Sequence, residues 1–176
     1  MELFDLYDTH RCPTGQTMVR GTTTPEGMYR LVVHICIFNS NGQLLIQQRQ
    51  PFKPTWSNMW DISVGGAVSA GECSQQAAQR ELREELGLEN DFSNSAPAFS
   101  TTFSGGFDDL YILHADVNLH DLKLQPEEVQ AVRWAAKEDI LSMIRDGSFI
   151  PYSKEFVEYL FFRSSHFGNF TIDAQP

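Results

Sequence analysis

The amino-acid sequence predicts an α/β (α+β) sandwich in which helices cover both faces of a mixed central sheet. Short apolar, β-branched segments recur along the chain, and an amphipathic helix is predicted among them at residues 73–86. Two further helical patterns, 136–146 and 152–163, follow the last predicted strand. A chain of 176 residues with 41% hydrophobic residues can bury a sizeable core, so residues 1–176 are expected to form one domain.

The predicted strands follow one another with short turns between them. Residues 29–38 (YRLVVHICIF) are almost continuously apolar, which is typical of a strand buried on both faces. A turn at NSNG separates this strand from 44–49, its predicted hairpin partner. Residues 1–28 are expected to form an N-terminal hairpin extension, and residues 136–176 a C-terminal helical part. In chain order, the strands are expected at 2–7, 15–20, 29–38, 44–49, 60–64, 96–104, 109–116 and 129–134.

The charge and the cysteines argue against several classes of protein. A formal net charge of −10 disfavours binding to duplex nucleic acid, which needs a basic surface, although metal ions can still mediate phosphate binding. Cys12, Cys36 and Cys73 are far apart and form no CxxC pair, so neither a disulfide framework nor a structural zinc site is expected. The N-terminus lacks a signal-peptide pattern and the longest apolar run is too short to span a membrane, which predicts a cytoplasmic protein without a membrane partner.

Three glutamates are concentrated on the predicted helix 73–86. Glu81, Glu84 and Glu85 are spaced i, i+3 and i+4, so they share one helix face. At roughly 6 Å and an effective dielectric near 20, each pair of charges costs about 3 kcal/mol, and Arg80 is placed to offset this locally. Clustered carboxylates supply the hard oxygen ligands that Mg²⁺ and Mn²⁺ prefer. A solvated acidic face is the alternative interpretation of the same spacing.

The stretch from residue 66 to residue 88 (GAVSAGECSQQAAQRELREELGL) resembles the Nudix box. Its matching positions are Gly66, Glu72, Arg80, Glu81, Leu82, Glu84, Glu85, Gly87 and Leu88. The resemblance implies a Nudix-type α/β/α sandwich with a small-molecule diphosphate as substrate. The implied activity is divalent-metal-dependent hydrolysis of a phosphoanhydride bond in a nucleoside diphosphate derivative or another organic pyrophosphate, an X-diphosphate.

The resemblance also implies roles for residues of the box. Glu84 and Glu85 are the first candidates for binding Mg²⁺ or Mn²⁺, and Glu81 is either a further ligand or the general base. Arg80 is expected to belong to the catalytic group beside them. Glu72 is either a helix-start residue or an additional metal ligand. In some members of the family the base lies in a later loop, and the candidates here are Glu127, Glu128, Asp108 and Asp109.

Residues 1 to about 140 resemble the isopentenyl-diphosphate-isomerase-like branch of the same superfamily, through YRLVVHICIFN, GQLLIQQR and WDISVGGAVSAGE. The true isomerase has a Cys-Gly-His element at the position of Gly65-Gly66-Ala67, so its catalytic Cys and metal-binding His are replaced here. Arg30 stands where another isomerase His is expected. These departures favour a hydrolase; an isomerase and a non-catalytic nucleotide-binding regulator are the alternatives.

Contacts with the substrate rest on less specific signals. Gly66 lets the backbone approach a ligand closely and is a candidate for both metal and substrate binding. Arg49 is a candidate phosphate contact, with a surface salt bridge as the alternative, and Trp56 is a candidate for stacking on a base or ring. The aromatic spacing within 152–161 predicts a packing face, turned either to the rest of the domain or to the partner in a homodimer.

Overall fold

A computed structural model describes residues 2–166 and confirms the α/β sandwich with a mixed sheet. The predicted residues 167–176 of the C-terminal part lie outside the described residues. The helices are α1 (Ser74–Leu86), α2 (Lys137–Asp146) and α3 (Lys154–Ser165), and a short 3-10 helix covers Leu119–Asp121. The strands are β1 (Leu3–Tyr7), β2 (Pro13–Val19), β3 (Arg30–Phe38), β4 (Leu44–Arg49), β5 (Trp60–Ile62), β6 (Val64–Ala67), β7 (Phe99–Phe103), β8 (Gly106–His114) and β9 (Val129–Ala135).

The central sheet has the strand order β5-β4-β3-β8-β7, with β6 paired to β3 and β9 paired to β4. The sequence predicts a hairpin of β3 and β4, but these strands pair only at Phe38 and Leu44, beside their turn. Beyond that pair the prediction is wrong, because β3 pairs instead with β6 and β8, while β4 pairs with β5 and β9. The change of partner gives β6, with Gly65 and Gly66, its place beside β3.

Apolar cores fill both faces of the sheet, as the predicted sandwich requires. Alternate side chains of β3 belong to different cores: Val33, Ile35 and Ile37 to one, and Cys36 and Phe38 to the other. Helix α1 covers the first core with four side chains: Ala77, Ala78, Leu82 and Leu86. Helices α2 and α3 cover the second core with Ile140, Met143, Val157 and Leu160. Aromatic residues of the α3 region, including Tyr152 and Phe156, pack against this second core.

Helix α1 begins and ends where its sequence indicates. Cys73 precedes the first turn, and its backbone N–H donates to the Gln76 side chain at 2.9 Å, which fixes the start of the helix. Gly87 ends the helix in a left-handed conformation (φ 68°), and its N–H donates to the Arg83 carbonyl oxygen at 3.0 Å. The apolar side chains of α1 face the sheet, so its glutamates are directed to the side and edge of this contact.

Two predicted strand starts shift by three residues: β7 begins at Phe99 rather than at residue 96, and β8 begins at Gly106 rather than at residue 109. Gly105 adopts φ +83°, which permits a tight turn between β7 and β8. Asp108 and Asp109 consequently lie within a buried strand and not in a loop. Helix α3 begins two residues later than predicted, because the Ser153 side chain caps it by accepting from the Phe156 N–H at 3.1 Å.

Across the described chain, 2–166, every helix falls short of the length and apolar character that a bilayer crossing demands.

Candidate active site

The glutamates of α1 form one wall of a polar pocket of about 330 Å³, and β6 forms another. The acidic residues that line the pocket are Glu2, Glu81, Glu84, Glu85 and Glu128. Arg20 and Arg80 are the cationic residues in the lining that the described chain provides. The pocket therefore combines a marked excess of negative charge with an opening to solvent, and it includes all three glutamates of the predicted cluster.

Glu85 is the most deeply buried of these acids, with 4% of its surface exposed. The Gln47 side-chain amide donates to its carboxylate at 3.0 Å, and Gly65 donates a backbone hydrogen bond. Burial, and then the negative charge of Glu81, raise the pKa of Glu85 to about 8. Within residues 2–166, its carboxylate has no lysine, arginine or histidine as an ion-pair partner. Without a neutralising cation, this environment favours the protonated carboxyl near neutral pH, and a bound cation would favour the ionised form.

Arg80 is committed to neighbouring protein groups. An arginine has five N–H donors, and all five of Arg80 are used within the protein. Two go to Glu72, at 2.8 and 2.9 Å, and one to the Ala67 carbonyl oxygen at 3.0 Å. The remaining two go to Glu81 at 2.7 Å and to Glu84 at 3.3 Å. Hydrogen bonding to Glu72 raises the pKa of Arg80 further, so the guanidinium is a permanent cation that holds its neighbours in place.

The contacts of Glu72 and Gly66 explain why a glutamate and a glycine occupy these two positions. Glu72 accepts from the Ser69 N–H at 3.0 Å and pairs with Arg80, and these bonds to Arg80 hold its pKa below the usual value. Its contacts thus shape the loop before α1. At Gly66 a Cβ atom would overlap the carboxyl group of Glu81, so glycine allows this carboxyl group to lie directly against β6. Burial raises the pKa of the Glu81 carboxyl in this contact.

The structure separates the four later acids that were candidates for the general base. Glu128 lines the pocket, and the Lys53 ammonium group donates to it at 2.7 Å. Glu127 is exposed and is not part of the pocket lining in the described chain. Asp108 and Asp109 lie in β8, where Asp108 pairs with His34 at 2.9 Å and Asp109 pairs with Arg11. Glu128 is therefore the later acid that the fold brings to the α1 glutamates.

The predicted substrate contacts Arg49 and Trp56 do not line this pocket within residues 2–166. One guanidinium nitrogen of Arg49 lies 3.9 Å from the Asp61 carboxylate, and another donates to the Thr55 carbonyl oxygen at 3.5 Å. Trp56 has 49% of its surface exposed and lies in the loop before β5. Sequence reasoning missed Glu2 and Arg20, because their position depends on how the N-terminal hairpin docks on the box, which local patterns do not encode.

The residues of the pocket fit a divalent cation in donor type and in charge. Carboxylate and carbonyl oxygens are the ligands of Mg²⁺ and Mn²⁺, and Glu85 offers a carboxyl group that has no cationic partner among residues 2–166. Across residues 2–166 no three His, Cys, Asp or Glu side chains already form a group that could hold a metal ion. In this arrangement Glu81 and Glu84 accept hydrogen bonds from Arg80. A divalent ion at Glu85 would have to compete with the guanidinium for these two carboxylates.

Comparison with known proteins places the chain in a family. The NUDIX domain model matches residues 28–160, so the chain belongs to the NUDIX domain family. An uncharacterized Nudix hydrolase of Listeria monocytogenes is 48% identical over 152 residues, which cover 86% of this chain and 90% of that protein. A crystal structure of DR0079 from Deinococcus radiodurans has a TM-score of 0.76 and 29% identity, and the match covers 90% of this chain and 98% of that one.

The protein is a Nudix pyrophosphohydrolase, a member of a family whose enzymes generally depend on divalent metal. An isopentenyl-diphosphate Delta-isomerase of Citrobacter koseri is a more distant relative, 27% identical over 146 residues. The structure supplies a physical obstacle to the isomerase chemistry. A Cβ atom at Gly65 would overlap the imidazole ring of His34, so a cysteine at this position would displace that ring. The prediction of a hydrolase rather than an isomerase is confirmed.

Proposed function

We propose that the protein hydrolyses a phosphoanhydride bond in an X-diphosphate, either a nucleoside diphosphate derivative or another organic pyrophosphate, with Mg²⁺ or Mn²⁺ as its metal. The observation that carries this proposal is the environment of Glu85. Its buried carboxylate lies between the acids Glu81 and Glu128 and lines an open polar pocket. A diphosphate is itself an anion, so it can enter such a pocket only when cations neutralise the glutamates.

Glu84 and Glu85 are the proposed metal ligands, joined by Glu81 or by the backbone at Gly66. A divalent ion, when bound there, supplies the positive charge that offsets the phosphate oxygens and the departing phosphate group. The protein groups then have two tasks. Glu84, which is exposed and has only a 3.3 Å contact with Arg80, would be free to help hold the ion. Glu85 would lose its proton to hold the ion, and the Gln47 amide and the Gly65 N–H keep its carboxyl group oriented.

Either Glu81 or Glu128 accepts a proton from the attacking water. Glu81 lies against Gly66, and burial raises its pKa, which makes its carboxylate a stronger base. Glu128 lies across the pocket and is oriented by Lys53. A pH profile separates the two, because the acidic limb of kcat/KM should disappear when the base is changed to glutamine and persist when the other residue is changed.

Arg80 acts as a positioning residue in this proposal. With all five donors engaged by protein groups, it tethers the loop at Glu72 to the helix glutamates and reduces their mutual repulsion. Substitution of Arg80 by Lys retains the charge but loses the planar arrangement of donors. We expect this variant to lower kcat, because the loop at Glu72 and the helix glutamates are then held less firmly in place.

A substrate panel tests the proposed function. The purified protein with Mg²⁺ or Mn²⁺ is assayed against nucleoside diphosphates and triphosphates, sugar nucleotides, dinucleotide cofactors, dinucleoside polyphosphates and prenyl diphosphates. Chromatography of the products identifies the bond that is cleaved. We expect metal-dependent cleavage of at least one X-diphosphate, loss of turnover with EDTA, and no interconversion of isopentenyl and dimethylallyl diphosphates. Full turnover in excess EDTA, or proton exchange into isopentenyl diphosphate in heavy water, would overturn the proposal.

A further inference from the structure

The N-terminal hairpin, formed by β1 and β2, is attached to the loop that precedes α1. The Ala70 N–H donates to the Leu3 carbonyl oxygen at 2.8 Å, and the Gly71 N–H donates to the Asp5 carboxylate at 2.7 Å. Three buried side chains of the hairpin form a small core against Ala67 and Met28: Phe4, Leu6 and Met18. The hairpin precedes residue 28, where the match to the family begins. It is thus an addition that packs directly on the catalytic motif.

This attachment brings the end of β2 to the mouth of the acidic pocket. Arg20 follows β2 and lines the pocket together with Glu2. The backbone N–H of Arg20 donates to the Glu2 carbonyl oxygen at 3.0 Å, and its guanidinium donates to the Glu2 carboxylate at 2.7 Å. The hydrogen bond to Glu2 raises the pKa of Arg20, and the charges of Glu128 and Glu81 contribute in the same direction. The guanidinium therefore lies within the electrostatic field of the pocket.

The two pocket arginines differ in the number of donors that they have left. Arg80 uses all five of its N–H groups on protein acceptors. Arg20 uses one side-chain N–H, to Glu2, among the contacts of residues 2–166, and its side chain is 59% exposed. An arginine with free, accessible donors beside a diphosphate site has the geometry for bidentate binding of phosphate oxygens.

We propose that Arg20 binds a non-bridging phosphate oxygen of the substrate's diphosphate. This inference rests on the proposed function, because it assigns a substrate contact to the same pocket. Glu2 holds Arg20 at the mouth in the absence of substrate, and the phosphate takes the donors that Glu2 leaves free. The exposed ion pair between Arg20 and Glu2 contributes little to the stability of the fold. Its role in this proposal is to orient the Arg20 guanidinium toward the pocket. Arg20 thereby supplies the cation that sequence patterns assign to Arg49.

The test measures binding of methylenediphosphonate, a non-hydrolysable diphosphate, to the Mg²⁺-loaded protein by calorimetry. Three variants are compared with wild type at equal ionic strength: Arg20→Gln, Glu2→Gln and Arg145→Gln. Arg145 is the matched control, since it is an exposed arginine in the last turn of α2 and lies outside the pocket lining of residues 2–166. KM and kcat are measured in parallel with the best substrate of the panel.

We expect Arg20→Gln to raise the Kd of methylenediphosphonate and the KM by about tenfold, with kcat within about twofold of wild type, as for one charge-assisted hydrogen bond. Glu2→Gln should retain or tighten binding, and Arg145→Gln should match wild type. Equal behaviour of Arg20→Gln and Arg145→Gln would overturn the inference. So would an equal loss in Glu2→Gln, because the pair would then serve only to hold the hairpin. If the wild type cleaves no panel compound, the proposed function fails, while the calorimetry still decides the role of Arg20.

Discussion

Two acidic residues, Glu85 and Asp109, are buried to nearly the same extent but have opposite surroundings. Asp109 is 1% exposed, pairs with the Arg11 guanidinium and accepts from the Ser100 hydroxyl. Glu85 is 4% exposed, and its partners are neutral: the Gln47 amide and the Gly65 N–H. The nearby charges that act on Glu85, from Glu81 and Glu128, are negative. One buried carboxylate is therefore neutralised within the fold, and the other is not.

From this difference we infer that Asp109 is a structural acid, and we propose that Glu85 is a functional one. Arg11 lies in the turn of the N-terminal hairpin, so its pair with Asp109 ties that turn to β8 and stabilises the fold. Glu85 has no such benefit, so without metal its burial favours the protonated, neutral carboxyl, and ionising that carboxyl opposes folding. Nudix hydrolases generally use divalent metals, and we propose that such an ion is the ligand that favours the ionised form of this buried carboxyl. The following predictions test this comparison in order of decreasing effect.

The largest expected effect is on catalysis. Glu85→Gln and Glu84→Gln should each lower kcat by about 10²–10⁴, because each removes charge that places the metal against the diphosphate. Steady-state kinetics with saturating Mg²⁺ measures this loss, and circular dichroism checks that both variants fold. Asp109→Asn is the contrasting variant, and its folded fraction should retain kcat within about twofold. Near-wild-type turnover of both glutamate variants would show that the site lies elsewhere.

The second prediction concerns the pH dependence of metal-free stability. The pKa of Glu85 is raised to about 8 in the folded protein, whereas an unfolded glutamate titrates near its ordinary value of 4.5. The folded state thus retains a proton that the unfolded state loses, so this contribution to stability is present below pH 4.5 and disappears as pH rises to about 8. We expect a loss on the order of 2–4 kcal/mol across that window, measured by urea unfolding in EDTA.

Glu85→Gln should flatten most of this curve, and Asp109→Asn should not. The slope that remains in Glu85→Gln should come from Glu81, whose pKa is also raised above 4.5, and from His34 between about pH 6.5 and 9. Burial lowers the pKa of His34, but the charge and hydrogen bond of Asp108 outweigh it and raise the pKa to about 9. The stability from that pair is complete below pH 6.5 and is lost as pH rises to about 9. If the free energy of unfolding in EDTA fell with pH to the same extent in wild type and Glu85→Gln, the raised pKa of Glu85 would be contradicted.

The third prediction concerns the structural acid. Asp109→Asn should lower the free energy of unfolding by about 2 kcal/mol, because Arg11 loses its partner and the buried site loses its charge-assisted hydrogen bonds. Chemical denaturation at pH 7 measures the change. Asp121→Asn, at an exposed position in the 3-10 helix, is the control and should change stability by less than about 0.5 kcal/mol. If Asp109→Asn left the free energy of unfolding unchanged, Asp109 would not be a structural acid.

The sequence predicts those features that depend on neighbouring residues along the chain. The limits of β4 agree residue for residue with the prediction of 44–49, and α1 differs from its predicted range only at Cys73, which precedes the first turn. The glutamate cluster follows directly from the helical period. Gly66 is predicted to let the backbone approach a ligand closely, and in the structure the group close to it is the Glu81 carboxyl.

Features that depend on distant packing could not be predicted in the same way. Strand β3 pairs along its length with β6 and β8 rather than with β4. No local signal in the sequence distinguishes these strands from β4 as the partners of β3. Arg49 is the last residue of the apolar strand β4, and the sequence predicts it as a phosphate contact. In the structure its guanidinium lies 3.9 Å from the Asp61 carboxylate instead. Arg20 reaches the pocket only because the hairpin docks on the loop before α1. The exposed fraction of an acidic side chain and the groups that it pairs with, as for Glu85 and Asp109, also depend on contacts between residues that are distant in the sequence.

The smallest expected effect is stabilisation by Mg²⁺. For a Kd of about 1 mM, 10 mM Mg²⁺ stabilises the folded state by roughly 1.4 kcal/mol, which raises Tm by about 3–5 °C in a domain of this size. The reference is NaCl at equal ionic strength, which separates binding at the site from general screening. The shift should persist in Asp109→Asn and shrink in Glu84→Gln and Glu85→Gln. An identical shift in all four proteins would point to nonspecific binding on the acidic surface.

The account depends above all on Glu85 as a ligand of divalent metal, and titration with Mn²⁺ tests this most directly. The free ion is followed by electron paramagnetic resonance in wild type, Glu85→Gln and Asp109→Asn, without any substrate. We predict that Asp109→Asn binds Mn²⁺ with the Kd of wild type, while Glu85→Gln binds at least about tenfold more weakly, because a buried charged ligand has been removed. Equal Mn²⁺ affinity in wild type and Glu85→Gln would contradict the central claim, since the uncompensated charge of Glu85 would then not serve metal binding.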